Sequence, residues 1–276
     1  MPSLVSLHLY PVKSCRGLDV AQATLTDAGL EHDREWMIVT PEGRFVTQRE
    51  EPRLARIAVG LGESALELSV EGAGGVAVPC DFTGRAVEVV VWGDRVAAID
   101  QGDAAAAWLT GLLGRELRLV RFAPAARRRS DPGWTGGHEA WTRFSDGFAL
   151  LAISTASLDD LNRRLPSPVP MNRFRPNLVL DGLPPYGEDA LDELASADGC
   201  VRLRVVKPCT RCRITTTDQR SGEVDAGEEP LRTLRGYRWN AALRGIAFGQ
   251  NLIVAAGAGA TLRAGQELRT SARSSV

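Results

Sequence analysis

The segment Lys207-Pro208-Cys209-Thr210-Arg211-Cys212-Arg213 places two thiols, two residues apart, among three cationic side chains. Positive neighbours favour thiolate over thiol, and the thiolate is the nucleophilic and metal-binding form of cysteine. Four chemistries compete for such a pair. A zinc site wants four ligands, yet Cys15, Cys80 and Cys200 form no second pair and the chain has 3 histidines. A thioredoxin-like dithiol wants a strand-to-helix turn, whereas the β-favouring Ile214-Thr215-Thr216-Thr217 follows here. Two buried structural cysteines are the plain alternative. The fourth is a soft metal centre that takes one thiolate from the protein and its other ligands from a cofactor. The string by itself leaves the metal unnamed.

Other residues are candidates by type and setting. Lys13 is one of two lysines among 33 cationic residues and follows a strand-like run directly. Arg175 and Asn177 flank Pro176, which stiffens their presentation. For each arginine taken singly, a solvated residue or an ordinary ion pair is the simpler reading. Asp218 either handles protons beside a metal or bonds its own backbone in the turn Asp218-Gln219-Arg220-Ser221-Gly222. His8, His32 and His138 fit no ligand pattern.

The elements that must position these residues read as mostly β. Val5–Leu9 alternates apolar and polar residues, and similar runs at Val20–Thr26, Glu35–Thr40, Leu54–Gly60, Ala65–Val70 and Val87–Trp92 are separated by turn-forming stretches. A helix is predicted over Asp103–Leu113, with Asp103 as N-cap and Gly114 just past its end, followed by a strand over Leu117–Phe122. Ala123 to Glu139, rich in Pro, Gly, Arg and Ser, reads as a loop or linker, so the predicted organisation is 1–122, a connection 123–139, and 140–276.

In the second part, strand Phe148–Ile153 leads into a helix capped by Ser154 or Thr155, acidic early at Asp159 and Asp160, basic late at Arg163 and Arg164, and stopped by Pro166. Further strands are predicted at Leu178–Leu180, Val201–Val206, Arg213–Thr217 and Leu252–Ala255, with Ala256 to Ala260 as a hairpin turn. The fold class is therefore mixed and β-rich (α+β), two β lobes with a few helices.

The bulk numbers bound the function. A formal net charge of -1 argues against a general nucleic-acid binder, and no apolar run approaches the length of a membrane span. Arg127-Arg128-Arg129 is the only tight basic cluster. The N-terminus lacks the regions of a signal peptide and 5 cysteines make a poor disulfide framework, so a reducing, cytoplasmic setting is expected.

Several strings, taken in order, resemble those of MOSC proteins. Leu9-Tyr10-Pro11-Val12-Lys13-Ser14-Cys15-Arg16-Gly17, Asp33-Arg34-Glu35-Trp36-Met37-Ile38-Val39 and Val46-Thr47-Gln48-Arg49-Glu50-Glu51-Pro52-Arg53-Leu54 resemble the family's N-terminal β-barrel region. Leu158-Asp159-Asp160-Leu161-Asn162, Asn172-Arg173-Phe174-Arg175-Pro176-Asn177, Cys209-Thr210-Arg211-Cys212 with Thr215-Thr216-Thr217-Asp218, and Phe248-Gly249-Gln250-Asn251 resemble the MOSC domain. The resemblance runs from Ser3 to about Arg269 and extends to the mitochondrial amidoxime-reducing component, its bacterial relatives and the C-terminal domain of molybdenum-cofactor sulfurases.

That resemblance implies a β-barrel lobe packed on a β-barrel MOSC domain, and a molybdenum–molybdopterin cofactor whose metal is bound by the second cysteine of the C-x-x-C string, here Cys212. It implies that Lys13, Ser14, Arg34, Arg175 and Asn177, with Thr155 and Arg238, hold the cofactor, since its terminal phosphate needs cations and backbone donors. Asp218 matches an acidic position of the motif. The implied activity is reduction of small N-hydroxylated compounds, with electrons from a separate flavoprotein or ferredoxin because no ferredoxin-like domain follows. Detoxification and pyridoxal phosphate binding accompany the family as keywords. The alternative is a carrier that passes cofactor or a Cys212 persulfide to a client enzyme. Leu191 departs from relatives that carry Trp at its position.

Overall fold

Leu4, Leu7 and Leu9 all face one core although the first two are three residues apart. The cause is a β-bulge. In the computed structural model, which describes residues 1–273, strand Ser3–Leu9 pairs antiparallel with Leu178–Asp181, and the register shifts between Leu4 and Ser6. Val5 is left unpaired and exposed, so the simple alternation expected over Val5–Leu9 holds only from Leu7 onward.

That first strand belongs to the largest sheet. Its order is Leu18–Val20, Ser3–Leu9, Leu178–Asp181, Leu150–Ser154, Gly245–Ala256, Arg202–Thr210, Leu191–Ala195, Arg269–Ala272, with Trp239–Asn240 pairing off the path. Neighbours are antiparallel except Leu150–Ser154 and Leu178–Asp181, which run parallel. A parallel pair needs a crossover. Here it is helix Thr155–Arg164, whose N-cap Ser154 accepts a hydrogen bond from the Ser157 amide and whose Leu161 is fully buried. Leu161 packs with Phe174, Ile246 and Phe248 behind the sheet.

The strand carrying the first cysteine is irregular where function is expected. Arg202–Thr210 and Gly245–Ala256 shift register at three places, the last between Pro208 and Thr210. Pro208 cannot donate to the ladder, so it sits at an irregularity, and the strand ends two residues later at Thr210.

Three smaller sheets of three or four strands hold most of the remaining strands. Trp36–Val39, Arg118–Phe122, Asp94–Asp100 and Ala86–Val91 form one; Ala58–Leu61, Ala65–Ser69 and Gly75–Pro79 form another. Thr261–Arg263, Gln22–Thr26 and Gly29–Leu30 form the third, which returns the C-terminal segment to the N-terminal one. Helix Asp103–Leu113 covers the first two through Ala105, Leu109 and Leu113. The architecture is β-rich with few helices, as the sequence predicts.

Local expectations differ at identifiable points. Pro52 starts a 3-10 turn over Pro52–Arg56 that buries Leu54 and Ala55, so the strand begins only at Ala58. Val20–Thr26 divides at Ala21 into strands with different partners. The cap of helix Asp103–Leu113 is Gly102, and Asp103 lies inside the first turn, where it pairs with Arg118. Arg213–Thr216 is a 3-10 turn rather than a strand, because the Thr215 and Thr216 hydroxyls donate to the Cys212 and Arg213 carbonyls and hold the backbone locally. Ala256 to Ala260 is a turn, but not a hairpin: the strands on either side pair with different neighbours. Within 123–139, Arg128–Arg129 forms a short ladder with Trp141–Thr142. The expected 140–276 range ends in residues 274–276, which lie outside the described residues.

Candidate cofactor cleft at Cys212

Cys212 is the half-buried residue that links strand Arg202–Thr210 to the 3-10 turn Arg213–Thr216. The Arg211 amide, one residue earlier, donates to the Ile246 carbonyl at 2.7 Å and anchors the turn to the neighbouring strand. Cys212 lines a cleft open to solvent, together with Lys13, Ser14, Arg34, Arg175 and Asn177. Six of the nine residues expected at the site are thus brought together from segments far apart in sequence.

Three of these six have left-handed backbones. Ser14, Arg34 and Arg175 have φ of 68°, 46° and 56°. Positive φ is uncommon outside glycine and costs on the order of 1–3 kcal/mol, so it persists where surrounding structure enforces it. The enforcement is visible: the Arg34 amide donates to the Tyr10 carbonyl at 2.9 Å, and the Lys13 amide to the Trp36 carbonyl at 2.8 Å.

The cations are held by protein groups. Lys13 Nζ donates to the Phe144 carbonyl at 2.7 Å and to Asp146 Oδ1 at 2.6 Å. Burial pulls the Lys13 ammonium below its usual range, and Asp146 opposes that pull. Arg34 Nη1 donates to Asp33 at 2.6 Å and to Asn177 Oδ1 at 3.1 Å, while its Nη2 donates to the Arg175 carbonyl at 3.1 Å. Arg175 donates to the Cys15 carbonyl at 2.7 Å and to Gln219 at 3.1 Å, and burial lowers its guanidinium to about 10. Both guanidiniums lie over the Tyr10 ring, 4.2 and 4.3 Å from its centroid. Burial pushes the Tyr10 hydroxyl and the Cys15 thiol each up to about 12, so the fully buried Cys15 stays protonated behind the cleft.

A cofactor with one protein thiolate fits this donor set. Among the described residues no three His, Cys, Asp or Glu side chains gather into a metal-binding group, so a metal bound at Cys212 would need ligands from a cofactor. Arg211 lines the same cleft, and its Nε is buried without a hydrogen-bond partner among the described residues. An orphaned cationic donor is costly unless an acceptor meets it. The other nitrogens of Arg211 are engaged by Cys209 Sγ at 3.0 Å and by the Phe174 carbonyl at 2.6 Å.

The remaining three expected residues lie elsewhere. Thr155 begins helix Thr155–Arg164 and donates to Asp181. Arg238 donates to Asp189 and to the Ala247 carbonyl in a separate depression beside Trp239 and Gln250. Asp218 Oδ1 accepts the amides of Arg220 and Ser221, both at 2.9 Å, and Oδ2 accepts Arg173 at 3.3 Å. The turn accounts for the Asp218 carboxylate, which does not line the cleft.

The structure adds site residues to which the sequence assigns no role at the cleft. Asp146, Arg211 and Asn251 line the cleft, and Gln48 and Gln219 brace it from behind. All but Asp146 lie in the strings quoted above or directly follow one. Asp146, between Ser145 and Gly147, reads as an ordinary loop residue.

Two family models match the chain: the MOSC N-terminal beta barrel domain over residues 1–116 and the MOSC domain over residues 139–269. Mitochondrial amidoxime-reducing component 1 of Mus musculus is 37% identical over 245 residues, covering 86% of this chain and 71% of that protein. Its Homo sapiens counterpart is 37% identical over 251 residues, covering 86% and 72%. The molybdenum cofactor sulfurase of Oryza sativa subsp. japonica is 33% identical over 256 residues, 85% of this chain but 31% of that protein. No described helix is long and apolar enough to cross a membrane. With both domains matched in order and such identity over most of its length, the chain belongs to the MOSC family, as a MOSC N-terminal beta barrel domain followed by a MOSC domain.

Proposed function

We propose that the cleft holds a molybdenum–molybdopterin cofactor, with Cys212 as the protein's ligand to the metal, and that the loaded protein reduces N-hydroxylated compounds. The observation that carries this reading is the meeting of Cys212 with Lys13, Ser14, Arg34, Arg175 and Asn177 around one opening. The names of the amidoxime-reducing relatives support the substrate class.

When bound, the cofactor supplies a metal able to cycle between oxidation states two electrons apart. The chain's own part is binding and electrostatics. Cys212 offers one thiolate from a turn fixed by two threonine hydroxyls. The Arg211 Nε offers a donor with no partner among the described residues to an anionic oxygen. Lys13 and the strained Ser14 backbone offer charge and polar groups to a phosphate. In the overall reaction the N–O bond breaks, two electrons and two protons are consumed, and the oxygen leaves as water. The electrons come from a separate flavoprotein or ferredoxin.

The test is turnover of benzamidoxime by the molybdenum-loaded protein with an artificial electron donor. A loaded sample that fails to reduce it, or hydroxylamine, removes the reductase reading. A second reading, a carrier of cofactor or persulfide, takes its support from the match to the molybdenum cofactor sulfurase. Mass spectrometry of the native protein separates them: a Cys212 persulfide without molybdenum favours carrying.

A further inference from the structure

Arg128 sits in the middle of the basic run Arg127-Arg128-Arg129, within the segment that the sequence presents as a linker. Its neighbours are exposed, but Arg128 itself is 6% exposed. Its Nη1 donates to the carbonyls of Arg143 at 3.0 Å and Ser145 at 2.5 Å, its Nη2 to the Asp146 carbonyl at 3.2 Å, and its Nε to Asp94 Oδ2 at 2.7 Å. One guanidinium therefore collects three carbonyls of a single loop, those on either side of Phe144 and the one after. Charge-assisted bonds from a planar, pre-organised donor hold such a loop more tightly than any neutral side chain.

What that loop does makes the arrangement informative. Between the captured carbonyls lies Phe144, whose carbonyl accepts Lys13 Nζ and whose amide donates to the Arg34 carbonyl at 3.0 Å. The next captured residue but one, Asp146, supplies the carboxylate that also holds Lys13. Lys13 thus has both its partners on the loop, and Arg34 has its backbone tied there.

We propose that Arg128 is a positioning residue, which acts through the Phe144–Asp146 loop to fix the Lys13 ammonium at the wall of the cleft. Its functional meaning rests on the reading of Lys13 as a phosphate-holding group; its structural content does not.

The chain's two lysines, Lys13 and Lys207, make the test clean. Both are acylated with an amine-reactive ester and followed separately by peptide mass spectrometry. In Arg128→Gln, Lys13 acylation speeds up about tenfold because the loop opens locally, while Lys207, which lies over Trp134, keeps its wild-type rate. Arg129→Gln, which removes the same charge from an exposed neighbour, changes neither rate. An unchanged Lys13 rate in Arg128→Gln overturns the proposal, and so does equal acceleration of both lysines, which marks Arg128 as merely structural. If Arg128→Gln does not fold, Asp94→Asn releases the guanidinium from its carboxylate without touching the loop and raises Lys13 acylation about threefold; no rise there also overturns it. Inorganic pyrophosphate slows acylation of Lys13 in the wild-type protein and loses that effect in Arg128→Gln. Absence of protection in the wild type removes the phosphate reading of Lys13 and leaves the acylation difference as evidence for Arg128 alone.

Discussion

Gln48 and Gln219 exchange a reciprocal pair of amide hydrogen bonds at 3.0 and 2.9 Å, 171 residues apart in sequence and almost fully buried. Gln48 also donates to the Ser14 carbonyl at 2.7 Å, and Gln219 accepts from Arg175 at 3.1 Å. The pair therefore braces two left-handed residues of the cleft at once. Gln219→Leu strands the Gln48 carbonyl oxygen and one Arg175 donor, and the expected cost is about 2–3 kcal/mol. Urea denaturation measures it; a loss below about 0.5 kcal/mol contradicts the brace.

The two nearby cysteines should behave differently. Cys212→Ser is expected to copurify with less than about a tenth of the wild-type molybdenum, since a hydroxyl is a far poorer soft-metal ligand than a thiolate. Cys209 packs against the cluster around Phe174 and Ile246, so Cys209→Ser should keep its metal and lose only about 1 kcal/mol of stability. Elemental analysis of both variants decides the assignment, and equal metal loss refutes it.

Asp160 gives a pH dependence of defined sign. Its carboxylate accepts Arg164 at 2.8 Å, Tyr186 at 2.7 Å and Arg163 at 3.2 Å, and these bonds, Arg164 first, hold it down at about 2. Because the folded value lies below that of the unfolded chain, the contribution is complete above about pH 4 and is lost as pH falls through about 2. Arg163 and Arg164 are solvent-exposed, so screening reduces the contribution to roughly 1 kcal/mol. Asp160→Asn should be less stable than wild type at pH 6, with the gap closing between pH 4 and 2. A gap that stays constant across that range excludes the linkage.

Gly249 occupies a position that other residues cannot. Its φ is +81°, and a Cβ there would lie 2.6 Å from Ile153 Cγ1 and 2.9 Å from the Ala152 carbonyl oxygen. Gly249→Ala combines a left-handed backbone penalty with overpacking, together about 2–4 kcal/mol. Thermal unfolding checks this, and an unchanged midpoint contradicts it.

Much of this was readable from local pattern. Helix Thr155–Arg164 declares itself through the Ser154 cap and the late Arg163 and Arg164, and charge and spacing single out the Cys209–Cys212 string without choosing among its chemistries. What stayed hidden depends on distant partners. The Val5 bulge is set by pairing with Leu178–Asp181, the 3-10 turn after Cys212 by hydroxyls that compete with a β-prone sequence, and the burial of Arg128 by carbonyls 15 to 18 residues away. Thr155, Arg238 and Asp218 show the converse: a motif position places a residue in the chain, while its neighbours in space decide what its polar atoms meet.

Strand Ser3–Leu9 precedes 123–139 in the chain, yet one of its edges joins Leu178–Asp181, and Gln22–Thr26 joins Thr261–Arg263. During synthesis that edge stays bare until residues 178–181 have been translated. A gene fragment ending in the 123–139 stretch would encode a protein with an unmatched strand at its start, and the remaining fragment would encode a sheet with a gap. Recombination at that apparent seam therefore separates strands that pair with one another.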